Sequence, residues 1–139
     1  MITQTLCSIF KLNLFKALED FDPASASVYK IALYSPIAEL DASTLTYTTV
    51  NEVVGTGYVA GGKTLTKVEP SLSGTTAFIS FNPVTWSPAA FTTRGALIYN
   101  ATTNAAVAVL NFGPDKTATL VFTVTFPTNN ADNAIIKIQ

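Results

Sequence analysis

Beyond Pro23 the chain runs in short stretches of Thr, Val, Ile, Phe and Tyr, broken at intervals by Gly, Pro and Asn, with no helical period among them. β-branched and aromatic side chains fit a pleated, half-buried surface, and the breakers mark the turns. The stretches predict strands over Val28–Tyr34, Leu45–Val50, Lys63–Glu69, Thr76–Phe81, Gly95–Asn100, Ala105–Phe112, Thr117–Phe126 and Ala134–Ile138, about eight in all. Strands in series without helices between them give an antiparallel all-β domain, and eight strands in two sheets match a jelly-roll-like β-sandwich. An immunoglobulin-like sandwich is the alternative, lacking the cysteine pair of antibody domains. The polar stretch Asn100–Asn104, flanked by apolar runs, predicts a hairpin turn.

The start of the chain reads differently. Phe10, Leu14 and Leu18 recur at a spacing of four before Pro23, which predicts a short amphipathic helix within Ser8–Phe21. The alternation Phe10, Leu12, Leu14 fits a strand nearly as well. Residues 1–22 therefore stand as a helical or irregular N-terminal arm and residues 23–139 as a single sandwich domain. That length can bury a core without disulfide or metal staples.

Charged residues make up 12% of the chain, against roughly 25% in ordinary soluble domains. With 48% apolar residues, one sandwich core cannot take all the apolar area inward. The composition favours self-association, as a homodimer first and a trimer next, or burial against a large partner. A net charge of −1 gives no attraction to nucleic acid or to anionic membranes. The longest uncharged stretch, Pro70–Thr93, is interrupted by Gly74, Pro83 and Pro88 and does not read as a membrane span. Lys11 and Lys16 within the first apolar region argue against a secretory leader, so assembly in the cytoplasm is expected.

The residue inventory narrows the chemistry. With one cysteine and no histidine, the chain supplies neither a usual zinc ligand set nor the base of a Ser-His-Asp triad. Cys7 reads as a small packed residue. Asp20 with Asp22, or Glu39 with Asp41, are the available carboxylate pairs for glycoside hydrolysis. Both pairs lie in turn-forming stretches, where carboxylates cap backbone amides. Gly57–Thr64 satisfies the phosphate-loop pattern G-x-x-x-x-G-K-[ST]. A phosphate loop opens a helix, however, and Leu65–Pro70 alternates like a strand and then meets proline, so Gly61 and Gly62 read as a tight turn. No cofactor is expected. Asn100-Ala101-Thr102 has the form of a glycosylation acceptor, without consequence in a protein assembled in the cytoplasm. Trp86, between Pro83 and Pro88, reads first as a core or corner plug and second as a partner anchor. Arg94 has the choice of a carboxylate of this chain or of a partner.

Asn51-Glu52-Val53 leading into Gly55–Tyr58 and Gly61–Leu65 resembles the signature of a family of small virion structural proteins of tailed bacteriophages. Lys30–Tyr34, Thr85–Ser87, Arg94–Asn100, Ala106–Phe112 and Asn133–Ile138 are similar too, so the resemblance covers most of the chain from about residue 10 onward. It implies a head cement or decoration protein, without catalytic residues, that binds the major capsid protein on the outside of the assembled shell. A tail or neck component and a carbohydrate-binding adhesion module are the alternatives. The expected partner contacts are Phe10, Leu14, Tyr47, Asn51, Glu52, Tyr58, Trp86 and Arg94, with the arm Met1–Phe21 and the loop Tyr47–Gly62 as the gripping elements.

Overall fold

A computed structural model describes residues 1–139. In chain order the elements are β1 (Thr5–Leu6), α1 (Ser8–Phe15), β2 (Tyr29–Tyr34), β3 (Lys63–Thr64), β4 (Ser71–Ser73), β5 (Thr76–Ile79), β6 (Val84–Trp86), β7 (Phe91–Asn100), β8 (Ala105–Ala118), β9 (Phe122–Val124) and β10 (Ile136–Ile138). The protein is all-β apart from α1, and every paired strand is antiparallel. The strands divide into a five-stranded sheet, β1-β8-β7-β2-β3, a three-stranded sheet, β10-β5-β4, and the pair β6-β9. Antiparallel sheets with one short helix agree with the expected all-β sandwich class.

The β7–β8 hairpin organises the large sheet, turning through Ala101–Asn104 as the polar stretch predicts. Asn100 Oδ1 accepts from Thr102 N–H at 3.0 Å, and Asn104 takes a φ of 64°. The register sets Tyr29 opposite Asn100, Ile31 opposite Ile98 and Leu33 opposite Ala96, so these six side chains share one face. Ala32, Leu97, Tyr34 and Tyr99 lie on the other. Both faces are covered. Phe21 stacks on Tyr29 at 4.4 Å and Phe81 packs at 6.1 Å on the first face, while Tyr47 stacks on Tyr99 at 4.7 Å on the second. A strand covered on both sides has no reason to alternate. Lys30–Tyr34, Gly95–Tyr99 and Ala105–Leu110 accordingly read as nearly continuous apolar runs.

Several boundaries differ from the sequence expectation. Leu45–Val50 makes only one bridge, Thr46 to Ala105, before leaving the sheet. Thr48 Oγ1 there accepts from Val50 N–H at 3.2 Å, and Asn51 enters the left-handed region at φ 60°. A threonine hydroxyl has taken the amide that a ladder would use. Lys63–Glu69 keeps two paired residues and one bridge, Lys67 to Phe81. Thr117–Phe126 is split: Thr117 and Ala118 end β8, the chain bends, and Leu120 carbonyl accepts from Ala89 N–H at 2.7 Å. The short strands β1, β4 and β6 were not anticipated.

The first 22 residues are not an arm. β1 pairs with β8, and Ile2 and Phe10 belong to the core, with Phe10 1% exposed. The helical alternative holds, but α1 stops at Phe15. Leu18 N–H donates to Asn13 carbonyl and Ala17 N–H to Leu14 carbonyl, while Ala17 sits at φ 56°. This is a Schellman ending with alanine where glycine is usual. Cys7, just before α1, is fully buried, and burial raises its thiol pKa to about 11. At eight residues, α1 is too short to cross a membrane.

Candidate partner-binding site

The loop between β2 and β3 is built around one buried carboxylate. Glu52 is 7% exposed. Its oxygens accept from the Tyr58 hydroxyl at 2.6 Å, the Tyr47 hydroxyl at 2.7 Å and Gly61 N–H at 2.8 Å. The bonds continue into the sheet: Tyr58 oxygen accepts from Leu33 N–H, Tyr99 hydroxyl donates to Gly61 carbonyl, and Tyr34 hydroxyl donates to Thr48 carbonyl. Burial first, and then Glu52, through its hydrogen bonds to Tyr47 and Tyr58 and its negative charge beside Tyr34 and Tyr99, push these four phenols above their ordinary pKa. They stay protonated near neutral pH, so Tyr47 and Tyr58 remain donors to the carboxylate.

The glycines in this segment serve close packing. A Cβ on Gly57, which has φ +83°, would lie 1.7 Å from Pro88 carbonyl oxygen, and one on Gly62, at φ +73°, would lie 1.8 Å from Ile31 carbonyl oxygen. The string that imitates a phosphate loop is thus a backbone-packing motif. Its Gly61 amide is spent on Glu52, and Lys63 Nζ donates to Thr85 carbonyl at 2.5 Å while standing 5.8 Å from the Trp86 ring. β3 follows it, not a helix.

The structure brings Tyr47, Asn51, Glu52, Tyr58 and Trp86 into one region, with Tyr58 stacked on Trp86 at 6.1 Å. As partner contacts, however, Phe10, Glu52 and Trp86 require correction, since they are 1%, 7% and 1% exposed and hold the fold from inside. Tyr47 and Tyr58 also direct their hydroxyls inward. Asn51 shapes the turn, its carbonyl accepting from Ser35 N–H at 2.9 Å. Arg94 pairs within the chain, its Nε 2.5 Å from Asp115 Oδ1. Leu14 is half-buried beside the three-stranded sheet. Exposed apolar side chains of the loop are ones the sequence did not single out: Val50, Val54 and Val59 are 66%, 94% and 75% exposed, and Ile37 is 73% exposed. The available signal was a lone Glu among valines and tyrosines.

Asp20, Asp22 and Asp41 each accept a backbone N–H two residues on, from Asp22, Ala24 and Ser43, as turn caps. Asn100 of the glycosylation-like triplet is fully buried and donates to Glu19 Oε2 at 3.1 Å. Glu19 also accepts from the Tyr29 hydroxyl at 2.7 Å, but its buried Oε1 has no partner. Burial raises the Glu19 pKa, with the hydrogen bonds from Tyr29 and Asn100 acting in the opposite sense. A carboxyl whose pKa is higher folded than unfolded binds protons more tightly in the native state. Its contribution to stability therefore falls as pH rises from the ordinary glutamate value through the folded one. Urea midpoints measured from acid to neutral pH will show this decline in the wild type and lose it in Glu19→Gln. An unchanged pH profile in the variant would contradict the assignment.

Comparison of this chain with family models, with curated proteins and with solved structures finds no match.

Proposed function

We propose that this chain is a non-enzymatic head cement, or decoration, protein of a tailed-phage virion. It sits on the capsid exterior, binds the major capsid protein lattice and ties neighbouring capsomers together. The virion setting rests on the resemblance of Asn51–Leu65 and the other quoted stretches to small phage structural proteins. The observation that carries a binding role is the set of exposed valines on the β2–β3 loop, Val50, Val54 and Val59, in a segment whose Glu52 is anchored inside by Tyr47, Tyr58 and Gly61. Apolar side chains held outward on a pre-ordered loop suit a protein interface, because little conformational freedom is lost on docking. A domain that binds only the mature lattice stabilises it by mass action.

The test is reconstitution on heads depleted of the protein. Wild-type protein restores resistance to heat and osmotic shock, and Val54→Asp does not. Losing one buried valine and burying a charge in its place lowers affinity by about tenfold or more. Val54 is 94% exposed, so the variant keeps its fold. Wild-type protein that fails to bind depleted heads would count against the reading. So would depleted particles that withstand heat and shock while failing to attach to cells, an outcome that points to an adhesion module.

A further inference from the structure

Between α1 and β2 the residues Glu19–Ser27 join no ladder, and their one backbone-to-backbone bond is internal, from Ser25 N–H to Asp22 carbonyl. Every hydrogen bond from this segment to the body runs through a side chain, at two clasps. At the first, the Tyr29 hydroxyl and Asn100 Nδ2 donate to Glu19 Oε2 at 2.7 Å and 3.1 Å, and Asp20 N–H donates to the Tyr29 oxygen at 3.0 Å. At the second, Lys67 Nζ donates to Ser25 Oγ at 2.7 Å and to Ser27 carbonyl at 2.8 Å. Between the clasps Phe21 stacks on Tyr29 and meets Phe10 and Phe81 edge-on at 6.0 Å and 6.2 Å.

The second clasp sets an ammonium on neutral oxygens. The first is a carboxyl with no cation, since the ion pairs of the chain are Met1 with Glu39 and Arg94 with Asp115. Its Oε1 is buried and accepts no hydrogen bond. We propose that Glu19–Ser27 is a pH-operated strap over the Tyr29 face of the large sheet, shut while Glu19 carries a proton and loosened when that carboxyl ionises.

A carboxylate oxygen buried without a donor is far costlier than the neutral group, whereas in an open strap water solvates it. The surrounding charges do not offset that cost. Asp20 and Asp22 on the strap, Glu69 beyond Lys67, and Lys11 and Lys16 on the α1 side are all exposed. Lys30 of β2 stands opposite Tyr99, on the other face of the sheet. The ammoniums of Lys67 and Lys137 are held by oxygens of Ser25 and Ser27 and by Asp132 carbonyl. Burial raises the Glu19 pKa in the closed form. The closed strap thus binds the proton more tightly than the open one. Opening grows as pH rises from the ordinary glutamate value through the closed-state value, and then levels. It lifts Phe21 off Tyr29, Phe10 and Phe81.

Amide hydrogen exchange of the intact chain, followed by NMR from about pH 4 to about pH 8 and corrected for intrinsic rates, tests the strap. In the wild type, protection of Asp20 N–H will fall by up to about tenfold per pH unit, the slope of one proton. It will level off above the pH at which the Glu19 carboxyl carbon titrates. Val53 N–H, bonded to Leu33 carbonyl in the β2–β3 loop, will show no matching decline. Glu19→Gln, neutral at every pH, will keep Asp20 protected throughout. Asp20 protection that stays flat in the wild type, that declines equally in Glu19→Gln, or that declines only in step with Val53 would each overturn the proposal.

Discussion

Glu52→Ala will lower the unfolding free energy by about 3–5 kcal/mol, a large share of the roughly 5–15 kcal/mol available to a domain of this size. The side chain is 7% exposed, and its removal strands three donors at once: the Tyr47 and Tyr58 hydroxyls and Gly61 N–H. A buried donor without an acceptor costs about 1–3 kcal/mol. Tyr47 is half-buried and recovers part of its loss in water. Glu52→Gln keeps the shape and one acceptor oxygen, and will cost less, about 1–2 kcal/mol. Urea titrations with a common m-value will separate the two. The loop should also come loose before the core. Proteolysis within residues 48–62 is expected in Glu52→Ala under conditions where the wild type is uncut. A loss below about 1 kcal/mol would mean that the carboxylate is not what holds the loop.

Much of the sheet was legible because its signal is local. The hairpin at Asn100–Asn104 and the runs around Ile31, Ile98 and Val107 lie close to where they were expected, as β-branched and apolar side chains demand. What escaped depends on contacts distant in sequence. β1 is a strand because Thr5 and Leu6 meet Val109 and Ala108, about a hundred residues away, and nothing in the local string Ile2–Leu6 says so. α1 ends early at an alanine in the left-handed region, where a glycine would have announced the stop. The site shows the same division. Tyr47, Asn51, Glu52 and Tyr58 were recognisable as a group, but their direction was not. Whether a tyrosine hydroxyl points to solvent or to a carboxylate is decided by the Leu33 amide and the Gly61 backbone, which the fold brings to them. An isolated glutamate in an apolar stretch suggests a contact and leaves its partner unstated.

Gly62→Ala is the second large effect expected, with a loss above about 3 kcal/mol or failure to fold. Two terms act there. A non-glycine residue at φ +73° costs about 1–2 kcal/mol by itself. The added Cβ would also lie 1.8 Å from Ile31 carbonyl oxygen and 2.6 Å from its carbon. Neither is the end of a flexible side chain. Ile31 sits in β2, paired with Ile98 on one side and Lys63 on the other and covered on both faces, so the strand cannot retreat. The loop must move instead, carrying Gly61 away from Glu52 and from Tyr99. Gly74 provides the control, with φ +59° and nothing within 4 Å of an added Cβ. Gly74→Ala will therefore show the conformational cost alone, about 1–2 kcal/mol. The difference between the two variants, read from urea midpoints, measures how tightly the loop is pressed onto the central strand. Equal losses at Gly62 and Gly74 would remove close backbone packing as the reason for the glycines in this segment.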